Sequence, residues 1–453
     1  MTHDVQQSIP VELGSERVGK LLIQYALPAI VGMVAASLYN MVDSIFIGHG
    51  VGAMAITGFA ITFPFMNIAA AFGSIVGVGA STLISVRLGQ KDYKTAQRVL
   101  GNVLILNASI GTVFTVVSLV FLDPVLYFFG ASEQTIGFAR DYMVIILLGN
   151  IVTHTYFGLN AVLRSAGHPR KAMMLTINTV VLNTILDPIF IFGLDMGIQG
   201  AAIATVLAQI VSLIWQVNML RNKNEMIHFH RDAFRLKSRI IRDILSIGLS
   251  PFLMNVASCA IVILINNGLK RYGGDLAIGA YGIMNRLAMM FVFIIMGLNQ
   301  GMQPIAGYNY GARLFPRLQE VLRLTIIIAT VISTIAFLIG EFMPELVARA
   351  FTSDEELIRL SVYGLRVSFS IFPLIGAQIV IANFFQSIGM AGKAIFLSLI
   401  RQVIVLIPCL LILPAYFEAD GVWYSMPISD LAACFVSTIM IITQLRKFKS
   451  EKT

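Results

Sequence analysis

Two carboxylates stand in text that is otherwise apolar enough to dissolve in lipid. In LPAIVGMVAASLYNMVDSIFIGHG, residues 27–50, Asn40 and Asp43 are spaced i, i+3; in NTVVLNTILDPIFIFG, residues 178–193, Asn183 and Asp187 are spaced i, i+4. On a helix either spacing puts amide and acid on one face. An aspartate near a bilayer centre costs roughly 2.5–3.5 kcal/mol on insertion scales, so an intramembrane acid points to function. Pro188 follows Asp187 directly; lacking an N–H, it leaves the carbonyl of Thr184 free beside the carboxylate and bends the helix. Carboxylate, amide and carbonyl oxygens suit a proton or a hard cation such as Na+, and two acids sharing such a site titrate as a pair. The bland alternatives place Asp43 beyond its helix end, in the headgroups, and make Asp187-Pro188 a helix terminus near the outer face.

Other polar residues interrupt apolar text. Thr205 and Gln209 share a face of GIQGAAIATVLAQIVSLIWQ, where a threonine either supplies a hydroxyl ligand or bonds back to its own helix. The stretch AYGIMNRLAMMFVFIIMGLNQGMQP sets Met284, Met289, Met290, Met296 and Met302 beside Asn299, Gln300 and Gln303. Flexible, polarizable methionines suit promiscuous binding of apolar cations, and lipid-facing filler suits the text as well. Arg286 and Arg401 also lie within apolar runs, with carbonyls or lipid phosphates as alternative partners. His154 has no spaced partner. No HExxH motif, phosphate-cradling glycine loop or Ser-His-Asp arrangement appears, so neither an enzyme nor a primary ATP-driven pump is expected.

These residues need helices that cross a membrane. Of 453 residues 57% are hydrophobic and 12% charged, and the mean hydropathy is +0.82, beyond what a soluble domain carries. The apolar runs are unbroken and of helix-spanning length, which excludes an alternating barrel pattern. Twelve spans are predicted, at about 20–45, 55–85, 99–122, 138–161, 171–194, 198–220, 244–269, 276–307, 320–342, 358–386, 393–415 and 421–445. The even-numbered connections hold Arg87, Lys91, Lys94, Arg98, Arg164, Arg170, Lys171, Arg313, Arg317 and the Arg221–Arg242 cluster, whereas odd-numbered ones hold Asp123, Glu133, Asp195, Asp354, Glu418 and Asp420. The positive-inside rule then puts both termini in the cytoplasm. The net charge of +8 is topology, not a nucleic-acid surface. Cys259, Cys409 and Cys434 lie in apolar runs without CxxC spacing, so no disulfide or metal site is expected. The N-terminal text lacks the pattern of a cleaved signal peptide, so the first helix is expected to stay.

The halves resemble each other. Pro28 and Pro251 are 223 residues apart, Asn160 and Asn383 also 223, and Gly89 and Gly311 222. A duplicated six-helix unit enters the membrane twice from the same side, giving parallel repeats. The expected layout is an N-lobe at 1–220, a cytoplasmic tether at 221–243 and a C-lobe at 244–453, with the substrate path between the lobes.

Pro28 ahead of Asn40 and Asp43, Asn183 and Asp187 with Pro188, Thr205 in the sixth span and the basic tether together resemble the multidrug and toxic compound extrusion (MATE) family. The likeness runs through the whole chain and is strongest to the DinF-like and MepA-like bacterial branch. It implies an all-α polytopic membrane protein with twelve transmembrane helices in two pseudo-symmetric lobes around a central cleft. It implies a secondary antiporter of the prokaryotic cytoplasmic membrane, monomeric, exporting amphipathic or cationic compounds in exchange for H+ or Na+, with no other cofactor. Asp43, Asp187, Asn183, Thr205 and Asn40 would handle the ion; Asn160, Met289, Gln300, Gln303 and Arg286 would contact substrate; Pro28, Pro188 and Pro251 would be hinges. The NorM-like branch uses acids in the C-lobe, but Asn266 and Cys409 stand at the duplicated positions here, which assigns the ion to the N-lobe alone. The rival reading is a lipid-linked oligosaccharide or lipid flippase of the wider superfamily, which usually has extra helices and a basic cavity.

Overall fold

A bilayer offers no water to peptide groups, so each apolar stretch closes its hydrogen bonds on itself as a helix. The computed structural model describes residues 12–223 and 225–450, the side chains at 39–41, 53, 231 and 232 excepted, and no strand occurs among them. The first lobe runs α1 (Val18–Gly50), α2 (Ala53–Gly89) and α3 (Tyr93–Val120). Helix α4 is Ile136–Leu148 and, after a 55° bend, Asn150–Ser165. Then come α5 (Pro169–Pro188), prolonged by the π-helical turn Ile189–Gly193, and α6 (Gly197–Leu220).

The second lobe opens with the 74-residue run Ser238–Gly311, which as one straight rod would measure about 110 Å, several times a bilayer's hydrocarbon thickness. It folds back at Gly274, φ 72°, into α7 (238–273) and α8 (275–311). Next are α9 (Phe315–Phe342) and α10, in which Glu355–Phe369 and Phe372–Ser387 meet at 52°. The run 391–450 breaks at Glu418, φ 51°, into α11 (391–417), which contains the π-helical segment Ile400–Leu406, and α12 (419–450). Twelve membrane-crossing helices result among the described residues, six to a lobe. They outrun the apolar text by polar turns: α7 starts at Ser238, taking in Arg239, Arg242 and Asp243, so the connection between the lobes shortens to 221–237. Once a helix is nucleated, each added residue gains a hydrogen bond without a new nucleus.

The duplication is written in the backbone as well. Left-handed residues recur 222 positions apart at Gly52 and Gly274, Lys91 and Arg313, and Gly167 and Gly389, and 223 apart at Asp195 and Glu418.

The lobes meet at the end of the bundle where the basic residues lie. There α2 approaches α7 and α8 through glycines: a methyl on Gly248 would come within 1.8 Å of Ile75 O, and one on Gly79 within 2.0 Å of Ile244 O. The contact recurs at Gly89, 2.0 Å from Tyr308 O, and Gly311, 2.1 Å from Val86 O. In each of these contacts a glycine faces the other helix's backbone, and a Cβ at that position would collide with it. Gly89 packs on the turn Tyr308–Ala312 and its repeat mate Gly311 on the turn Val86–Gln90, so the pseudo-twofold axis passes between these turns. Gln303 Nε2 adds bonds to Ser81 Oγ and Thr82 Oγ1, both 2.7 Å. The first lobe's core at this end takes in Ile240 and Ile244 of α7. Its core at the acidic end, around Ile47, Phe59, Tyr142 and Ile198, draws on the first lobe alone.

The connection packs on the first lobe. Gln97 Nε2 donates to Met226 O (3.0 Å) and Asn102 Nδ2 to Arg235 O (3.3 Å). Glu225 pairs with His168 at 2.8 Å and Lys171 at 3.0 Å. Burial works to raise the Glu225 pKa, but the Lys171 and His168 contacts outweigh it and hold the carboxyl below its ordinary value.

Candidate functional site

Asp43 lies seven residues before the end of α1 and Asp187 six before the end of the α5 turn, which puts both about 10 Å inside the acidic end. Both are buried, and their carboxyls lie beside each other. Asn183, one turn before Asp187, donates from Nδ2 to Asp187 Oδ1 (3.2 Å) and to Thr205 Oγ1 of α6 (3.4 Å), while Thr205 donates to Ala201 O (3.0 Å). Four of the five side chains expected to handle the ion thus share one buried cluster between α1, α5 and α6. Asn40 lies one turn from Asp43 on α1, but its side chain is outside the described residues.

The cluster is short of positive charge. Ionised carboxylates only accept, so a bond between two of them requires a proton. Asp187 Oδ2 and Asn183 Oδ1 find no donor among the described residues, and a buried acceptor left unmet is costly. One proton, or one hard cation bound by the carboxylate, amide and hydroxyl oxygens, answers the deficit. Among the described residues no group of three or more His, Cys, Asp or Glu side chains forms a metal cluster.

Tyr142 of α4 escaped the sequence reading. Its ring is fully buried, its hydroxyl hydrogen-bonds Thr205, and it feels the charge of both Asp43 and Asp187. A second omission is Asp430 of α12, buried and paired through Oδ1 with Arg401 Nε at 2.5 Å. Arg401 lies in the π-helical segment of α11, beside Gln402, whose Nε2 donates to Ser258 Oγ of α7 (2.8 Å). The second lobe therefore holds an intramembrane acid after all, but one with its own cation.

The residues expected to contact substrate are dispersed. Asn160 Nδ2 donates to Ala172 O (3.0 Å) and its Oδ1 accepts from Arg164, fastening α4 to α5. Gln300 Nε2 reaches Met33 Sδ of α1 (3.3 Å), and Gln303 crosses to α2, so both bridge the lobes. Met289 is exposed on α8, and Arg286 lies over the Phe351 ring, 5.8 Å from its centroid. Gln209 accepts from Thr153 (2.5 Å), outside the acid cluster. His154 is buried with Nε2 3.0 Å from Ala69 O. Pro28 and Pro251 lie inside α1 and α7, and Pro188 opens the π-helical turn of α5.

The MatE family profile matches residues 28–189 and 247–411. A multidrug export protein MepA of Staphylococcus haemolyticus is 27% identical over 433 residues, covering 96% of this chain and 95% of its own. The MepA of Staphylococcus aureus is 28% identical over 431 residues, 94% of each. Among solved structures, the MATE multidrug transporter DinF-BH, solved as a complex, is 37% identical, with a TM-score of 0.88 over 95% of this chain and 96% of that one. An outward-facing multidrug resistance MATE family transporter is 25% identical, with a TM-score of 0.91 over 98% and 99%.

Proposed function

From the premise that the chain belongs to the MatE family of multidrug transporters, we propose that it exports amphipathic, cationic organic compounds in exchange for H+ or Na+. The observation that carries the ion coupling is the shared Asp43–Asp187 cluster with unmet oxygens on Asp187 and Asn183. Such a cluster holds one exchangeable positive charge, and a bound cationic substrate competes for the same negative field. The proposed mechanism is alternating access. By the positive-inside rule the basic end faces the cytoplasm, so the glycine seam is a closed cytoplasmic gate and the acid cluster belongs to the external half. Ion entry from outside neutralises Asp43 and Asp187 and releases substrate; Pro28 and the π-helical turn after Pro188 give α1 and α5 backbone freedom to respond. Opening of the cytoplasmic seam then releases the ion inward. The transporter works as a monomer in the prokaryotic cytoplasmic membrane, with both termini inside.

The test is dye efflux from proteoliposomes with proton and sodium gradients imposed separately. Efflux driven by one gradient, abolished in Asp43→Asn and Asp187→Asn and shifted in its pH or sodium dependence in Tyr142→Phe, is expected. Gradient-driven export that persists in Asp43→Asn sinks the assignment. Failure of either gradient to move any cationic dye through the wild type favours lipid translocation instead.

A further inference from the structure

At the basic end, the first turns of α1 and α9 leave a groove of about 750 Å³ between them, lined by Arg17, Lys20, Ile23, Arg317, Glu320 and Leu324 among others. Its polar lining carries Arg17, Lys20, Arg317 and Glu320, with Glu16 beside Lys20. Arg317 forms the fixed back wall, tied to Asn309 Oδ1 (3.1 Å), Leu13 O (3.3 Å) and Glu16 O (2.5 Å). Lys20 reaches Glu16 at 2.9 Å, and Arg17 makes no ion pair among the described residues. Below the mouth the lining turns apolar. Ile23 and Leu27 follow each other on one face of α1, 63% and 57% exposed; Ile327 and Val331 continue the face of Leu324 on α9, 48% and 54% exposed.

Both helices run inward from the same end, so these side chains form a two-sided apolar seam directly beneath the charges. From Arg17 to Leu27 is ten residues, about 15 Å along a helix, which is the hydrocarbon depth of one leaflet. A guanidinium and an ammonium at the surface over a leaflet-deep apolar seam match one molecule class: a phosphate-bearing head with acyl chains. We propose that this groove binds an anionic phospholipid of the leaflet at the basic end, its phosphate at Arg17 and Lys20 and one chain between α1 and α9. The bound lipid would bear on the base of α1, the helix that carries Asp43 at its other end.

The test uses the purified, delipidated protein in neutral detergent, titrated with phosphatidylglycerol, with phosphatidylcholine of the same chains, and with inorganic phosphate, and read by native mass spectrometry. Wild type and the Lys447→Gln/Lys449→Gln variant, basic residues elsewhere at the same end, should each retain one phosphatidylglycerol. Arg17→Gln/Lys20→Gln should retain it about thirty-fold more weakly, at roughly fivefold per basic residue near an anionic surface. Leu324→Trp, which fills the groove and keeps the charges, should lose it as well, so the outcome does not hang on one variant's folding. Equal retention by Arg17→Gln/Lys20→Gln, equal retention of phosphatidylcholine, or binding of inorganic phosphate alone would each overturn the proposal.

Discussion

Gly248→Ala is the sharpest test of the glycine seam, because the added atom is a single methyl with a known collision. Its carbon would lie 1.8 Å from Ile75 O, whereas ordinary contact begins near 3.4 Å. Relief therefore requires α2 and α7 to part by about 1.5 Å, and inserting a methylene-sized group into packed structure costs about 1–3 kcal/mol. On the proposed alternating access the strain exists only while the seam is closed, so it favours the state open at the basic end, by about 5- to 150-fold in population. The assay is maleimide labelling of Ser85→Cys, a seam position, from the basic side in a background with Cys259, Cys409 and Cys434 replaced. Labelling should accelerate at least about fivefold and export should fall with it. Gly282→Ala is the control, since nothing lies within 4 Å of a methyl there. Labelling and export in Gly248→Ala that match Gly282→Ala would refute the reasoning.

Two further outcomes follow from the charged contacts. Arg401→Gln or Asp430→Asn alone leaves one charge stranded inside the membrane and should cost about 3–5 kcal/mol, while the double change Arg401→Met/Asp430→Leu should be far milder; melting in detergent decides, and single variants no worse than the double would remove the pair from the account. Glu225, with its carboxyl held below the ordinary value, contributes stability that is present above the unfolded pKa and lost as pH falls through the folded one. Proteolysis within 221–237 should therefore rise at acid pH in the wild type, and Glu225→Gln should show that susceptibility already at neutral pH.

What the sequence disclosed follows from the cost of polarity in lipid. Asp43, Asn183 and Asp187 were legible because each interrupts an apolar run, and helix pitch alone predicts the Asn183–Asp187 contact. Their meeting across α1 and α5 was not legible, since no spacing within one helix reports on another. Tyr142 was overlooked because a tyrosine near a helix start reads as an interface anchor, and only packing turns its hydroxyl toward Thr205. Asp430 was passed over in PISDLAAC because its explanation, Arg401, lies 29 residues away on another helix. Gly89 and Gly311 stood out as repeat anchors, yet the reason glycine is needed there appears only when the two copies face each other.

The same comparison separates the lobes. Their backbones repeat at 222 to 223 residues, down to the left-handed turns, so a difference in chemistry between them lies in side chains. In the second lobe Asp430 has a guanidinium at hydrogen-bond distance, so the acid is matched by a cation of the same lobe. In the first lobe Asp43 and Asp187 have each other, an amide and a hydroxyl, and Asp187 Oδ2 and Asn183 Oδ1 find no donor among the described residues. In the proposed exchange that arrangement is balanced by a proton or a cation and loses the balance again on release. On the proposed exchange, the duplicated fold keeps one acid site matched by its own cation and leaves the other to the coupling ion, which is the asymmetry that proposal needs.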